Sequence, residues 1–405
     1  MSEDLYDVII IGGGIVGMAT AMILSQTTRA KILVLEAEDQ IGRHQTGNNS
    51  GVIHSGIYYK PGSLKAENCV SGREALYQFA EKYGIAYDAC GKLIVATKPE
   101  ELPALETLYQ RGLQNGLTGI RKLDAGEIKA YEPYTTGIAG LHVPQTGIID
   151  YPGVLKQYNV LFQAAGGELR TNARMLSHVR DGNAHVIITA QGEFRTKALI
   201  NCAGLQSDRI AQKCGVNPGL QIVPFRGEYY EIIPEKQYLV KNLIYPVPDP
   251  RFPFLGVHFT RRVTGGIEAG PNAVLAFKRE GYRMSSISPA DMLAYGTYSG
   301  FYRMAFKFWK TGIGEMYRSL SKAAFVKALQ VLLPDLKSED LRRGGAGVRA
   351  QALEPDGKLT DDFRIVEAPG MIHVLNAPSP AATASLSIGK TIAAMAADRF
   401  ALQSS

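Results

Sequence analysis

Cysteine and tryptophan are scarce in this chain of 405 residues, with four of the first and one of the second. Cys69, Cys90, Cys202 and Cys214 lie far apart and form no CxxC pair, which argues against a zinc knuckle or a disulfide scaffold and for a reducing compartment. No metal site is expected. Apolar stretches long enough to span a bilayer, roughly 20 residues, are also lacking. The nearest, Val8 to Leu24, holds three consecutive glycines. It follows Ser2, Glu3, Asp4 and Asp7 without a Lys or Arg, the reverse of a secretory leader. The chain is therefore expected neither to be exported by that route nor to cross a membrane. Compact Lys/Arg runs are missing, so no nucleic-acid groove is expected, although 44 basic against 38 acidic residues leave a net charge of +6. Internal repeats and low-complexity linkers are missing too. What is abundant is glycine, with 43 residues, which suits tight turns and close backbone approach to a ligand. A hydrophobic content of 45% and this length predict a globular chain of two domains.

Asp7-Val8-Ile9-Ile10-Ile11 reads as a buried parallel strand and runs directly into Gly12-Gly13-Gly14-Ile15-Val16-Gly17. A helix-compatible segment, Met18 to Gln26, follows, and Lys31 to Leu35 reads as a second strand ending in Glu36. This is GxGxxG in its required setting. Gly12 makes the turn, Gly14 lets the backbone approach a pyrophosphate, Gly17 permits close helix–strand packing, and the helix N-terminus faces the phosphates. Glu36 stands where a ribose hydroxyl is bound, and an acid there argues against a 2′-phosphate. Instead of further βα units, Gly47 to Tyr59 is polar and glycine-rich, a loop suited to lie along an extended cofactor.

These residues, together with Ala198 to Asp208 (ALINCAGLQSD), resemble the FAD-dependent D-amino-acid-oxidase-like oxidoreductases. The group also holds sarcosine oxidases and glycerol-3-phosphate dehydrogenases. Within it, His44 to Ala66, Pro224 to Tyr230, Ile244 to Arg261, Gly270 to Tyr282, Ala346 to Gln351 and Asn376 to Thr383 closely resemble the L-2-hydroxyglutarate dehydrogenases, also called oxidases. The likeness covers nearly the whole chain and is weakest over Lys98 to Glu132 and Ser285 to Leu336. It implies an α/β (α+β overall) fold in which a Rossmann-like FAD-binding domain, residues 1–88, 140–220 and 336–405, is interleaved with a smaller mixed-sheet substrate domain, 89–139 and 221–335. Noncovalent FAD is implied, contacted by Gly12, Gly14, Ile15, Val16, Gly17, Glu36, His44, Gln45, Thr46, Asn49, Ser50, Gly51, Met175, Ala203, Gly204, Ser207, Gly347, Pro378, Ser379, Ala381 and Ala382. A helix after Ala381, capped by Asn376 or Ser379, would aim its positive end at the flavin.

Oxidation of a 2-hydroxy acid needs a proton acceptor and clamps for carboxylates. Of seven histidines, two inside family motifs are the catalytic candidates: His54 is expected as flavin-side base or positioner and His258 as substrate contact, with the reverse assignment open. A small dicarboxylate calls for two cationic anchors, and Arg226, Arg279 and Arg349 are the candidates, supported by Lys278 and Tyr245. With no Cys pair or haem motif to take electrons, the acceptor is expected to be quinone or oxygen. Tyr298 to Leu333 carries six bases against one acid, interleaved with aromatics that include the only Trp, and helices there are expected to break near Gly312 and Gly314. That composition suits a membrane-surface segment, so the expected location is cytoplasmic, peripheral on the inner membrane. Another substrate on the same fold (an amino acid, sarcosine or glycerol 3-phosphate) and a flavin-binding protein without turnover are the competing readings.

Overall fold

The computed structural model describes residues 5–249 and 256–405. Residues 250–255, inside the motif Ile244 to Arg261, and the acids Glu3 and Asp4 lie outside the described residues.

Three parallel β-strands make the centre of the first sheet. Leu5–Ile11 lies between Ile32–Leu35 and Gly192–Asn201, with Val8 opposite both Ile32 and Ala198. Alternation divides its side chains between two cores. Val8 and Ile10 pack under helices Ile15–Thr27, Tyr151–Ala164 and Ser385–Arg399, whereas Ile9 and Ile11 join Leu33, Leu35 and Ile187 on the other face. Glu168–Arg170 extends the sheet on one side and Met371–Asn376 on the other. The expected hairpin after Ala184 forms as Ala184–Thr189 against Gly192–Asn201, with Met175–Asp181 as a third antiparallel strand.

The second sheet has nine strands in mixed parallel and antiparallel pairing, against eight in the first. Its longest pairing sets Gln221–Ile232 antiparallel to Leu341–Leu353, from Gln221↔Leu353 to Ile232↔Leu341. Ala139–Val143 also belongs here, against Lys92–Ala96. The boundaries drawn at 140 and 336 therefore cut into this sheet, and the chain leaves it only after Val143 and after Leu353.

Alternation decides which way the second sheet presents its chemistry. Leu93, Val95, Ile244 and Phe259 face helix Lys322–Leu329, where Phe325, Val326 and Leu329 are buried. Their neighbours Lys92, Ile94, Tyr245 and His258 therefore share the opposite face, toward the first sheet. A short sheet of Val52–Ile53, Gly147–Ile149 and Tyr87–Asp88 closes the gap and carries the loop from His54 to Tyr59 against that face.

Candidate active site

A cavity of about 1450 Å³ runs between the two sheets. At one end it meets the glycine turn. Gly12 has φ +111°, and a Cβ there would stand 2.5 Å from the carbonyl oxygen of Cys202, so a side chain is excluded twice over. Gly14 is the N-cap, and its missing Cβ would touch only Thr46 Oγ1 at 3.6 Å, leaving the backbone open to the cavity. The Ile15 N–H donates to Thr46 Oγ1 at 3.0 Å. Gly17 does not line the cavity; a Cβ there would be 2.1 Å from Gly12 O, the close packing expected of it.

Glu36 is buried in the wall, its Oε2 accepting from Gly13 N at 2.8 Å and its Oε1 from Glu38 N at 2.9 Å. Both oxygens are held, and each keeps a lone pair for a ribose hydroxyl. His44 is engaged at both ring nitrogens, Nδ1 with Tyr282 Oη at 3.3 Å and Nε2 with Glu38 Oε1 at 3.2 Å, which fits a noncovalent contact. Glu38, His44 and Glu280 converge closely enough to hold a cation. Arg174 already pairs with both carboxylates, however, and supplies the positive charge a metal would bring.

Ile15, Val16, Gln45, Thr46, Asn49, Ser50, Met175, Ala203 and Gly204 line the middle of the cavity, and Gly347, Pro378, Ser379, Ala381 and Ala382 its far part. Besides Gly17, two expected contacts fall outside. Ser207 donates to Leu375 O at 3.1 Å within the core, and Gly51, whose N–H donates to Asn49 Oδ1 at 2.9 Å, is not part of the lining. The helix expected after Ala381 begins only at Ser385, and Pro378 to Ala384 form turns instead. Asn376 does not cap it; its Nδ2 donates to Thr360 O and Asp362 O.

The far end is a chamber lined by His54, Tyr58, Tyr229, Tyr245, His258 and Arg349. His258 stacks on Tyr245, centroids 4.0 Å apart, and its Nδ1 lies 2.9 Å from Gly256 O. That bond places the proton on Nδ1 and leaves Nε2 as an acceptor. The Nδ1 of His54 is buried with no partner. An orphaned N–H costs more than an orphaned lone pair, so His54 favours the tautomer with its proton on Nε2. One imidazole thus accepts and the other donates. Burial, reinforced by neighbouring cations, holds both neutral, each pushed down to about 3.

Of the expected anchors, only Arg349 and Tyr245 reach the chamber. Arg226 sits on the strand face opposite to Gly227 and Tyr229, fully buried, donating to Glu228 Oε1 and Arg283 O. Arg279 is locked to Asp208 through both terminal nitrogens, and Lys278 is exposed outside the cavity. The glycines flanking these arginines serve tight backbone packing: a Cβ on Gly227 would meet Pro271 at 2.7 Å and one on Gly281 the carbonyl of Lys278. Sequence reasoning overlooked Tyr58 and Tyr229, although Tyr58 lies four residues after His54 in the same motif.

A long groove with an open glycine N-terminus, a held carboxylate at one end and a turn-lined wall at the other fits FAD. The sequence profile of the FAD dependent oxidoreductase family matches residues 7–395. L-2-hydroxyglutarate dehydrogenase of Indibacter alkaliphilus is 54% identical over 98% of this chain and 100% of its own length. The chain belongs to this family, on the branch of the L-2-hydroxyglutarate dehydrogenases. FAD is its cofactor. The mitochondrial L-2-hydroxyglutarate dehydrogenase of Homo sapiens is 47% identical over 99% of this chain and 90% of its own, and that of Escherichia coli strain K12 is 46% identical over 99% and 95%. Among solved structures, the FAD-bound L-alpha-glycerophosphate oxidase of Mycoplasma pneumoniae superposes with a TM-score of 0.81 at 23% identity, covering 99% and 96%, and shares the fold.

The neutral histidines of this flavoenzyme have a consequence for stability. His185 and His373, in the first sheet, are pushed down to about 4, chiefly by burial, and His54 and His258 to about 3. Each takes up a proton on unfolding below pH 6.5, so stability present above that pH is lost as pH falls toward the folded values. At pH 5 the cost is up to about 2 kcal/mol for each group. The thermal midpoint is expected to drop by several degrees between pH 7.5 and 5, measured by calorimetry; an unchanged midpoint would show that these rings are protonated when folded.

Proposed function

We propose that this enzyme oxidises L-2-hydroxyglutarate to 2-oxoglutarate and passes the electrons to quinone at a membrane surface. The observation that carries the substrate reading is the chamber itself, where an accepting imidazole, a donating imidazole and a guanidinium share one pocket beside the flavin groove. FAD, when bound, supplies the acceptor for the hydride from the substrate's alpha carbon. Arg349 binds a carboxylate and orients the substrate. The Nε2 of His258 takes the hydroxyl proton, and the Nε2–H of His54 donates to an oxygen of the same end of the substrate. A neutral imidazole can accept that proton, whereas a charged one cannot. The test is anaerobic flavin bleaching by both 2-hydroxyglutarate enantiomers, malate, lactate, glycerol 3-phosphate and sarcosine. Rapid bleaching by the L-dicarboxylate alone is expected; bleaching by glycerol 3-phosphate or sarcosine overturns the substrate, and bleaching by none favours a protein without turnover.

The membrane reading rests on helix Ser299–Leu320. It continues through Gly312 and Gly314, with its kink at Phe308, and the break expected at the glycines comes instead at Ser321. Tyr302, Phe306, Trp309, Ile313, Tyr317 and Leu320 follow one another at steps of three and four, forming one face, and every one is exposed, Phe306 by 84%. Lys307 and Lys310 stand beside this stripe, each over an aromatic ring. Among the described residues no helix is long and apolar enough to cross a membrane. An apolar stripe with lysines at its border suits a helix lying in the headgroup layer. Wild type is expected to sediment with vesicles containing anionic lipid, and a Phe306/Trp309/Ile313→Ser variant to bind them at least about tenfold more weakly, given about 1.5–3 kcal/mol for each buried side chain. Equal partition would leave oxygen or a soluble carrier as acceptor.

A further inference from the structure

Lys92 opens the strand Lys92–Ala96 and is 1% exposed, yet its Nζ has no hydrogen-bond partner. The amine lies 4.3 Å from the ring centroid of Tyr58 and 4.8 Å from that of Tyr245. Both rings line the chamber, and Tyr245 in turn stacks on His258. The groups around the amine come from four elements. The loop brings His54 and Tyr58, helix Leu64–Tyr83 brings Cys69, strand Leu243–Pro246 brings Tyr245, and strand His258–Arg261 brings His258. Arg349 acts on the same His258 from across the chamber, and among the described residues no carboxylate pairs with Lys92. A buried amine without a partner costs stability, and a methionine would fill the same space without that cost.

We infer that Lys92 is the second cationic anchor of the chamber, an amine one aromatic ring behind the wall that takes a proton from solvent when a dicarboxylate enters and returns it when the acid leaves. This rests on the dicarboxylate reading above. Arg349 neutralises one carboxylate; of the other cations lining the cavity, Lys65 is paired with Asp361 and Arg111 donates to Tyr58 O, so the second carboxylate is left to the amine of Lys92. Empty of anion, the site holds the amine down to about 7 by burial, so near neutral pH it is poised between forms. An anion next to the aromatic cage favours the ammonium, and through linkage the acid binds more tightly where the proton is available. His54 and His258 do not titrate in that range. Lys92 is thus a positioning residue, acting through the rings of Tyr58 and Tyr245.

The experiment uses the FAD-loaded enzyme and glutarate, a dicarboxylate with no hydroxyl to oxidise. Its Kd is followed by perturbation of the flavin spectrum from pH 6.5 to 8.5, and proton uptake by calorimetry in buffers of different ionisation enthalpy. Wild type is expected to take up more than half a proton at pH 8, with Kd rising up to about tenfold per pH unit above 7. Lys92→Met is expected to lose both the slope and the uptake and to bind about 10- to 100-fold more weakly at pH 6.5. Lys92→Arg, charged throughout, is expected to keep the pH 6.5 affinity without the slope. Binding by wild type with no uptake and no slope overturns this inference alone, and so does a wild-type slope in Lys92→Met. Glutarate failing to perturb the flavin at any pH overturns the dicarboxylate reading and this inference together. The wild-type measurements decide even if a variant does not fold.

Discussion

Replacing His258 with Gln is expected to lower the rate of anaerobic flavin reduction by L-2-hydroxyglutarate about 10²- to 10⁴-fold, while FAD content stays at the wild-type level. Gln fills much of the same space beside Tyr245 but has no nitrogen that can take a proton. The Gly256 carbonyl fixes which nitrogen of His258 is the acceptor, and burial keeps the ring neutral. His54→Gln is expected to be milder, because a Gln amide can still donate where Nε2–H donated. Its loss would appear in substrate affinity more than in the limiting rate. Stopped-flow reduction of both variants separates the roles. A larger loss in His54→Gln would return the assignment to His54 as base.

Arg349→Met is expected to raise the KM for the dicarboxylate about 10²- to 10³-fold, which corresponds to the roughly 2–5 kcal/mol lost when one partner of a desolvated charge pair is removed. Substrate and site both suffer, since the carboxylate enters a chamber left with no guanidinium. Arg349→Lys is expected to recover only part of the loss, because a single ammonium cannot reproduce a bidentate fork. Arg226→Met and Arg279→Met give the contrast. Both arginines are sealed away from the chamber in pairs with Glu228 and Asp208, so their loss should leave a half-buried and a fully buried carboxylate without their cation and lower the thermal midpoint rather than change KM alone. A pure KM effect in either would show that it reaches the substrate. Steady-state kinetics with thermal unfolding of the same preparations makes the comparison.

The arginines show where reading from sequence stops. All three sit in conspicuous motifs beside glycines, and nothing local tells them apart. What separates Arg349 from Arg226 is strand parity across the Gln221–Ile232 and Leu341–Leu353 pairing, where Phe225 faces Arg349 and Arg226 faces Val348. One residue of register decides which arginine faces the chamber. The two histidines were visible as motif members, but their division into acceptor and donor depends on Gly256 O and on a buried nitrogen with no partner. Nothing local in the sequence marks Lys92, because a lysine before four apolar residues looks like an ordinary strand edge. Its burial between two tyrosines comes from strands about 150 residues apart in the chain.

The amino-acid sequence by itself determined the cofactor end of this protein. Strand, glycine turn, helix and Glu36 act through backbone geometry within some thirty consecutive residues, and local geometry is written in local sequence. It also determined the apolar, basic character of the helix near Trp309. Only the tertiary structure decided the substrate end. There the face of each strand, the partner of each buried charge and the tautomer of each imidazole depend on groups that meet only once two sheets close on one another.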